Sequence, residues 1–174
     1  MFGIGAGKVE IRIPKIAYVV GEPIEGTLVL LVNSPVKARG VFLKLCADQK
    51  YREYVYDSGS HHSHGFGQGN GHWTTTTKTV YNFVLQFDGE REYPKTPQPL
   101  VYPFRIFVPK EAETLRQYTG SSGLGSPVVS IGQLQIGGGD SMGGGPTGPP
   151  DWYLVGYLDL PFAFDVSTRV MLSI

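Results

Sequence analysis

The chain has 174 residues, sets fifteen basic against fifteen acidic side chains, and contains one cysteine, Cys46. That length is ample for one sandwich-sized domain with a sizeable core. Balanced charge without like-charge blocks argues against binding to nucleic acid. No apolar run approaches the roughly 20 residues of a membrane helix, and a lone cysteine excludes an intramolecular disulfide.

The opening residues lack the apolar core of a secretory signal, so the expected location is cytoplasmic. Residues 8–13 alternate strictly, with Val9, Ile11 and Ile13 on one side and Lys8, Glu10 and Arg12 on the other. That is the period of a half-buried antiparallel strand. Gly21-Glu22-Pro23 predicts a turn, because glycine tolerates positive φ and proline presets its own. Residues 27–32 are β-branched and aliphatic, a strand with a buried face. Asn33-Ser34-Pro35 breaks it, and residues 36–45 predict the next strand, with Val41, Leu43 and Leu45 on one face. Residues 50–57 are rich in tyrosine. Residues 74–88 predict a long strand in which Tyr81, Phe83, Leu85 and Phe87 share a face. Residues 93–99 hold three prolines and predict an extended, unpaired connector. One short helix is expected around residues 109–118, with Pro109 in its first turn.

Three segments carry a resemblance to a known family. The order of an alternating first strand, GEPIEGTLVL and PVKARGVFLKL resembles the start of an arrestin N-terminal domain. LVYPFRIFVP at 100–109 is similar to that family's aromatic strand ending in proline. YLVGYLDLPFAFDVSTRV at 153–170 is similar to its late strand pair. The opening GIGAGKVEIRI is also similar to prokaryotic arrestin-like proteins of the sporulation-control type. The resemblance implies an all-β, immunoglobulin-like antiparallel β-sandwich of the arrestin type, present as a single lobe over residues 1–174. It also implies a non-enzymatic adaptor or scaffold that binds another protein. Lys8, Arg12 and Lys15 fall on the strand where receptor-binding arrestins carry phosphate-sensing basic residues, although any solvated strand face shows such spacing. The core expected from alternation comprises Val9, Ile11, Leu28, Leu30, Leu43, Leu45, Phe83, Leu85, Phe104, Ile106, Leu158 and Phe164.

Two segments depart from a minimal lobe. Residues 58–72 contain five glycines and four histidines, His61, His62, His64 and His72. Clustered imidazoles are candidate metal ligands. Glycine surroundings and the absence of acidic or cysteine partners at ligand spacing favour a solvated hairpin tip. Residues 117–150 contain eleven glycines and four prolines, with Asp140 as their one charged side chain. Such composition resists packing, and the segment is expected to be mobile or only locally ordered. Within it Val128, Val129, Ile131, Leu134 and Ile136 form an apolar stretch suited to contact a protein partner or a second copy. No nucleophile elbow or phosphate loop is present, and no cofactor is implied. Three readings therefore stand: a protein-binding adaptor, a self-assembling structural protein using exposed edge strands, and a metal-binding module.

Overall fold

The computed structural model describes residues 7–56, 71–117, 129–131, 134–136, 144–161 and 164–174. Strands β1 (Gly7–Arg12), β2 (Pro23–Val32), β3 (Val36–Ala38), β4 (Gly40–Tyr56), β5 (Gly71–Asp88), β6 (Arg91–Tyr93) and β7 (Leu100–Phe107) come first. Helix α1 (Glu111–Gln117) follows, then β8 (Val129–Ile131), β9 (Leu134–Ile136), β10 (Gly145–Pro146), β11 (Asp151–Asp159) and β12 (Val166–Leu172). All strand-to-strand ladders are antiparallel. One sheet has the order β1-β2-β7. The facing sheet joins β5 to β4, β4 to β11 and β11 to β12, with β10 beside the distal part of β4. This is the expected all-β antiparallel sandwich.

The two sheets meet through alternating aliphatic residues. Leu28, Leu30, Leu154 and Leu158 are each 0% exposed, and Val9, Ile11, Leu43, Leu45, Phe104 and Ile106 are buried beside them. The sheets approach closely at Gly156, in the middle of β11. A side chain there would run into Leu28 Cδ1 and crowd Ile11 and Val9. Glycine is thus required by packing, not by a turn. Farther along, the Phe87 ring lies 5.4 Å from Tyr102 and 6.5 Å from Phe104, joining β5 to β7.

Turn chemistry follows the sequence closely at Gly21, which has φ 82°. Elsewhere the structure corrects the expectations. Residues 36–45 are two strands: β3 pairs with β6, then the chain turns at Arg39 and enters the other sheet at Gly40. A Cβ on Gly40 would lie 2.6 Å from the Asp88 carbonyl oxygen, so the corner needs glycine. Tyr93, expected in an unpaired connector, closes β6 and is fully buried. Helix α1 stands where a short helix was expected, burying Ala112 and Leu115.

Two expected core residues are not core. Phe83 faces the interior side opposite Leu45 but remains 41% exposed, because β5 is the edge of a sheet wider than its partner. Phe164 is 88% exposed, lying in the β11–β12 connection past the last ladder pair, Leu158 with Val166. Leu85 is partly buried against the core. Val80, which strict alternation would have placed outside, is 1% exposed because the ladder shifts register between Ala47 and Asp48.

Replacing Gly156 by valine tests the inter-sheet contact. Overpacking of this kind costs about 1–3 kcal/mol, which for a chain of this size lowers the melting temperature by about 2–12 °C. A Gly156→Val variant that melts with the parent would show that β11 does not bear on Leu28.

Candidate functional site

Strands β4 and β5 form a ribbon whose ladder continues from Val41 and Asp88 out to Tyr56 and Gly71. Only its proximal half is flanked by β11, which pairs with Gly40 to Asp48 of β4. The distal half projects at about 3.3 Å per residue. There the Arg52 guanidinium lies 4.9 Å from the Trp73 ring centroid, and Tyr54 meets the same ring edge-on at 5.2 Å. The other side of β5 is not paired in any ladder among the described residues. Val55, Trp73, Phe83 and Val84 of this ribbon are all exposed.

The segment expected as a contact element is a small hairpin. Val129, Ile131, Leu134 and Ile136 lie in β8 and β9, with Val129 opposite Ile136 and Ile131 opposite Leu134. Val128 lies outside the described residues. Strand β9 approaches β5, with Cα atoms within 8 Å. At the end of the same glycine-rich insertion, residues 144–150 are tied down. Gly145 and Pro146 pair with Arg52 and Tyr51, Thr147 N–H donates to the Lys50 carbonyl at 2.9 Å, and buried Gln49 donates to Gly148 at 2.6 Å. Of the histidines, His72 is an exposed residue of β5 and His61, His62 and His64 lie outside the described residues. Among the described residues no three His, Cys, Asp or Glu side chains gather as a metal site would require.

Lys8 and Arg12 lie on β1, whereas Lys15, expected on the same strand, falls beyond its end at Arg12, and all three pair with carboxylates. Glu10 pairs with Lys8 at 3.6 Å and with Arg12 at 2.8 Å, and Lys15 pairs with Glu22. The Arg12 guanidinium, first by hydrogen bond, holds the Glu10 carboxyl below its ordinary value, and the Lys15 ammonium does the same to Glu22.

A cluster that sequence reading missed lies on the solvent-facing side of the five-stranded sheet. Asp48 of β4 accepts from Thr79 of β5 at 2.8 Å, Tyr153 of β11 at 2.9 Å and Arg169 of β12 at 3.3 Å. One carboxylate thus ties four strands. Arg169 also stacks on the Tyr153 ring, 3.4 Å from its centroid. Beside them Cys46 is buried, with its Sγ 3.6 Å from Asn82 Oδ1. Burial pushes the Cys46 thiol above its ordinary value, which leaves it a poor nucleophile. Lys44, Cys46, Asn82, Tyr153, Val155 and Tyr157 line an open trough of about 360 Å³ along this face. Alternation marks the outward residues of β4, but the strands they meet are separated by tens of residues, so only the sheet order reveals the cluster.

No family model and no curated protein sequence matches the chain. Among solved structures, the chain is similar to the sporulation control protein Spo0M from Bacillus subtilis, with a TM-score of 0.53 and 17% identity. The fold is arrestin-like. The match covers 98% of this chain and 49% of that one, so the chain spans about half the length of its structural neighbour. Among the described residues no helix is long and apolar enough to cross a membrane.

Two phenols make stability depend on high pH. Burial, then the Asp48 carboxylate, pushes Tyr153 far above its ordinary value of 10.0. Burial, then the Asp88 charge, pushes Tyr102 up to about 12. Both are favoured as neutral groups in the fold, so their contribution is complete below pH 10 and is lost as pH rises through the folded values. The urea midpoint should fall above pH 10, and less steeply in Tyr153→Phe. Equal pH slopes for parent and variant would remove Tyr153 from this linkage.

Proposed function

We propose that this chain is a non-enzymatic protein-binding module that recruits its partner by accepting an added strand along β5. The observation that supports this reading is an edge strand of eighteen residues, Gly71–Asp88, paired on one side only among the described residues. Its unpaired N–H and C=O groups form a template for another extended segment. Natural sheets blunt such edges with prolines, charges or bulges. Between Gly71 and Asp88 there is no proline and Lys78 is the one lysine or arginine, and the irregular positions of the ladder are confined to its Ala47/Asp48 and Val41/Phe42 steps. The ribbon adds exposed Val55, Trp73, Phe83 and Val84, apolar side chains whose burial by a partner stabilises the complex. The hairpin β8–β9, whose strand β9 lies near this edge, is the second contact element, with Val129, Ile131, Leu134 and Ile136 in its two strands. The arrestin-like fold is compatible with a binding role, while the function itself resides in these sites.

Partner capture from an extract of the source organism, followed by backbone hydrogen exchange on the captured complex, tests the reading. Amides within Gly71–Asp88 should become protected. Gln86→Lys, an edge charge at an exposed site opposite Phe42 and outside the trough, should cut capture at least about tenfold while altering stability by no more than about 0.5 kcal/mol. Protection confined to other strands, or undiminished capture by Gln86→Lys, would end the strand-addition reading. The pair Ile131→Asp and Leu134→Asp assigns the hairpin. Lost capture with an unchanged melt supports a contact role, and a lowered melting temperature places its role within the sandwich.

A further inference from the structure

The trough on the outer face of the five-stranded sheet contains one cation that the fold leaves without a counter-ion. Of the eight lysines, Lys8, Lys15, Lys37, Lys50, Lys78, Lys95 and Lys110 are exposed, and Lys44 alone is half-buried. Five of those exposed lysines pair with carboxylates: Lys8, Lys15, Lys37, Lys50 and Lys78. Lys44 has no carboxylate at ion-pair distance among the described residues, and its ammonium sits 4.7 Å from the centroid of the Tyr157 ring. The carboxylate that lines the trough, Asp165, is not at ion-pair distance from Lys44 and accepts from the Leu160 N–H at 3.0 Å, while Asp48 beside the trough is occupied by Thr79, Tyr153 and Arg169. A partly desolvated cation beside an aromatic face and with no counter-ion attracts an acid far more than an exposed lysine does.

The surroundings of Lys44 select the form of that acid. Its register partners are apolar, Val84 on β5 and Val155 on β11, while Asn82, Asp165 and Ser167 also line the trough. The backbone groups of β4 and β11 beneath are spent in their ladder, so recognition must come through side chains. An open trough on a sheet surface encloses little of a small molecule, whereas sites for free ligands usually bury most of the ligand. We propose that this trough docks an acidic side chain, flanked by apolar residues, from an extended segment of the protein partner, with Lys44 as its counter-ion. The proposal rests on the protein-binding reading but does not require the strand-addition geometry.

Nitrogen–proton correlation spectra of the folded chain provide the test, with two synthetic probes, acetyl-VEVEV-amide and acetyl-VQVQV-amide. The acidic peptide should shift the amides of Lys44, Cys46, Tyr153, Val155 and Tyr157 in a saturable manner, and the glutamine peptide should bind about three- to tenfold more weakly. Lys44→Met should abolish that difference and Lys44→Arg should retain it, with melting curves confirming that both variants fold. Equal binding of the two peptides, or no shift of the trough amides, overturns the proposal. Sodium glutarate producing the same shifts at the same concentration would also overturn it, in favour of a site for free carboxylates. Shifts confined to the β5 edge would leave strand addition standing while removing the trough from recognition.

Discussion

A five-stranded sheet presents more inner surface than a three-stranded sheet can cover, and here the excess falls on β5. The β1-β2-β7 sheet closes over β4, β11 and part of β12, where Leu43, Leu45, Leu154 and Leu158 reach almost complete burial. On β5 the same inward alternation continues, yet Tyr81, Leu85 and Phe87 are only partly buried and Phe83 is exposed. The shift in register at Val80 partly compensates by turning one more aliphatic side chain into the core. An edge strand with a half-wet apolar face contributes little net stability, but it is well placed to gain from a second chain.

Close approach at Gly156 also sets what the outer face can do. With β11 pressed onto Leu28, Ile11 and Val9, the sheet is fixed from inside, and Asp48 fixes it from outside by bonding β5, β11 and β12 at once. Trp152, Tyr153 and Leu154 of β11 are consecutive and all buried, so the strand is covered on both faces at this end, while Val155 and Tyr157 stay partly open to the trough. A surface held this way presents its side chains on rigid elements, which lowers the entropic cost of recognition.

Much of this was legible in the sequence because period-2 alternation and turn chemistry are local. Val9 and Ile11, the Gly21 turn and the helix after Pro109 needed only neighbouring residues to be read. What was not legible depends on which strands become neighbours. Phe83 carries the same alternation signal as Leu85, and only its place at a sheet edge exposes it. Phe164 sits in an apolar run that looks like strand, but the ladder starts two residues later, at Val166. The break at Gly40 was hidden because a lone glycine within one apparent strand run does not reveal that the chain changes sheets there. The Asp48 cluster joins residues 48, 79, 153 and 169, a set that no spacing rule connects.

The two polar residues that β4 directs outward on either side of Cys46 have opposite fates. Asp48 is enclosed by donors from three other strands, so its charge is compensated within the fold. Lys44 lies over the Tyr157 ring between register partners Val84 and Val155, half-buried and with no carboxylate at ion-pair distance among the described residues, although Asp165 lines the same trough. Were this face purely structural, a methionine at 44 would pack against Tyr157 equally well and avoid the desolvation of an ammonium. Local choices that run against stability are expected where a surface serves another molecule. The outer face of the sheet is therefore divided: the Asp48 end holds the strands together, and the Lys44 end retains unspent electrostatic attraction.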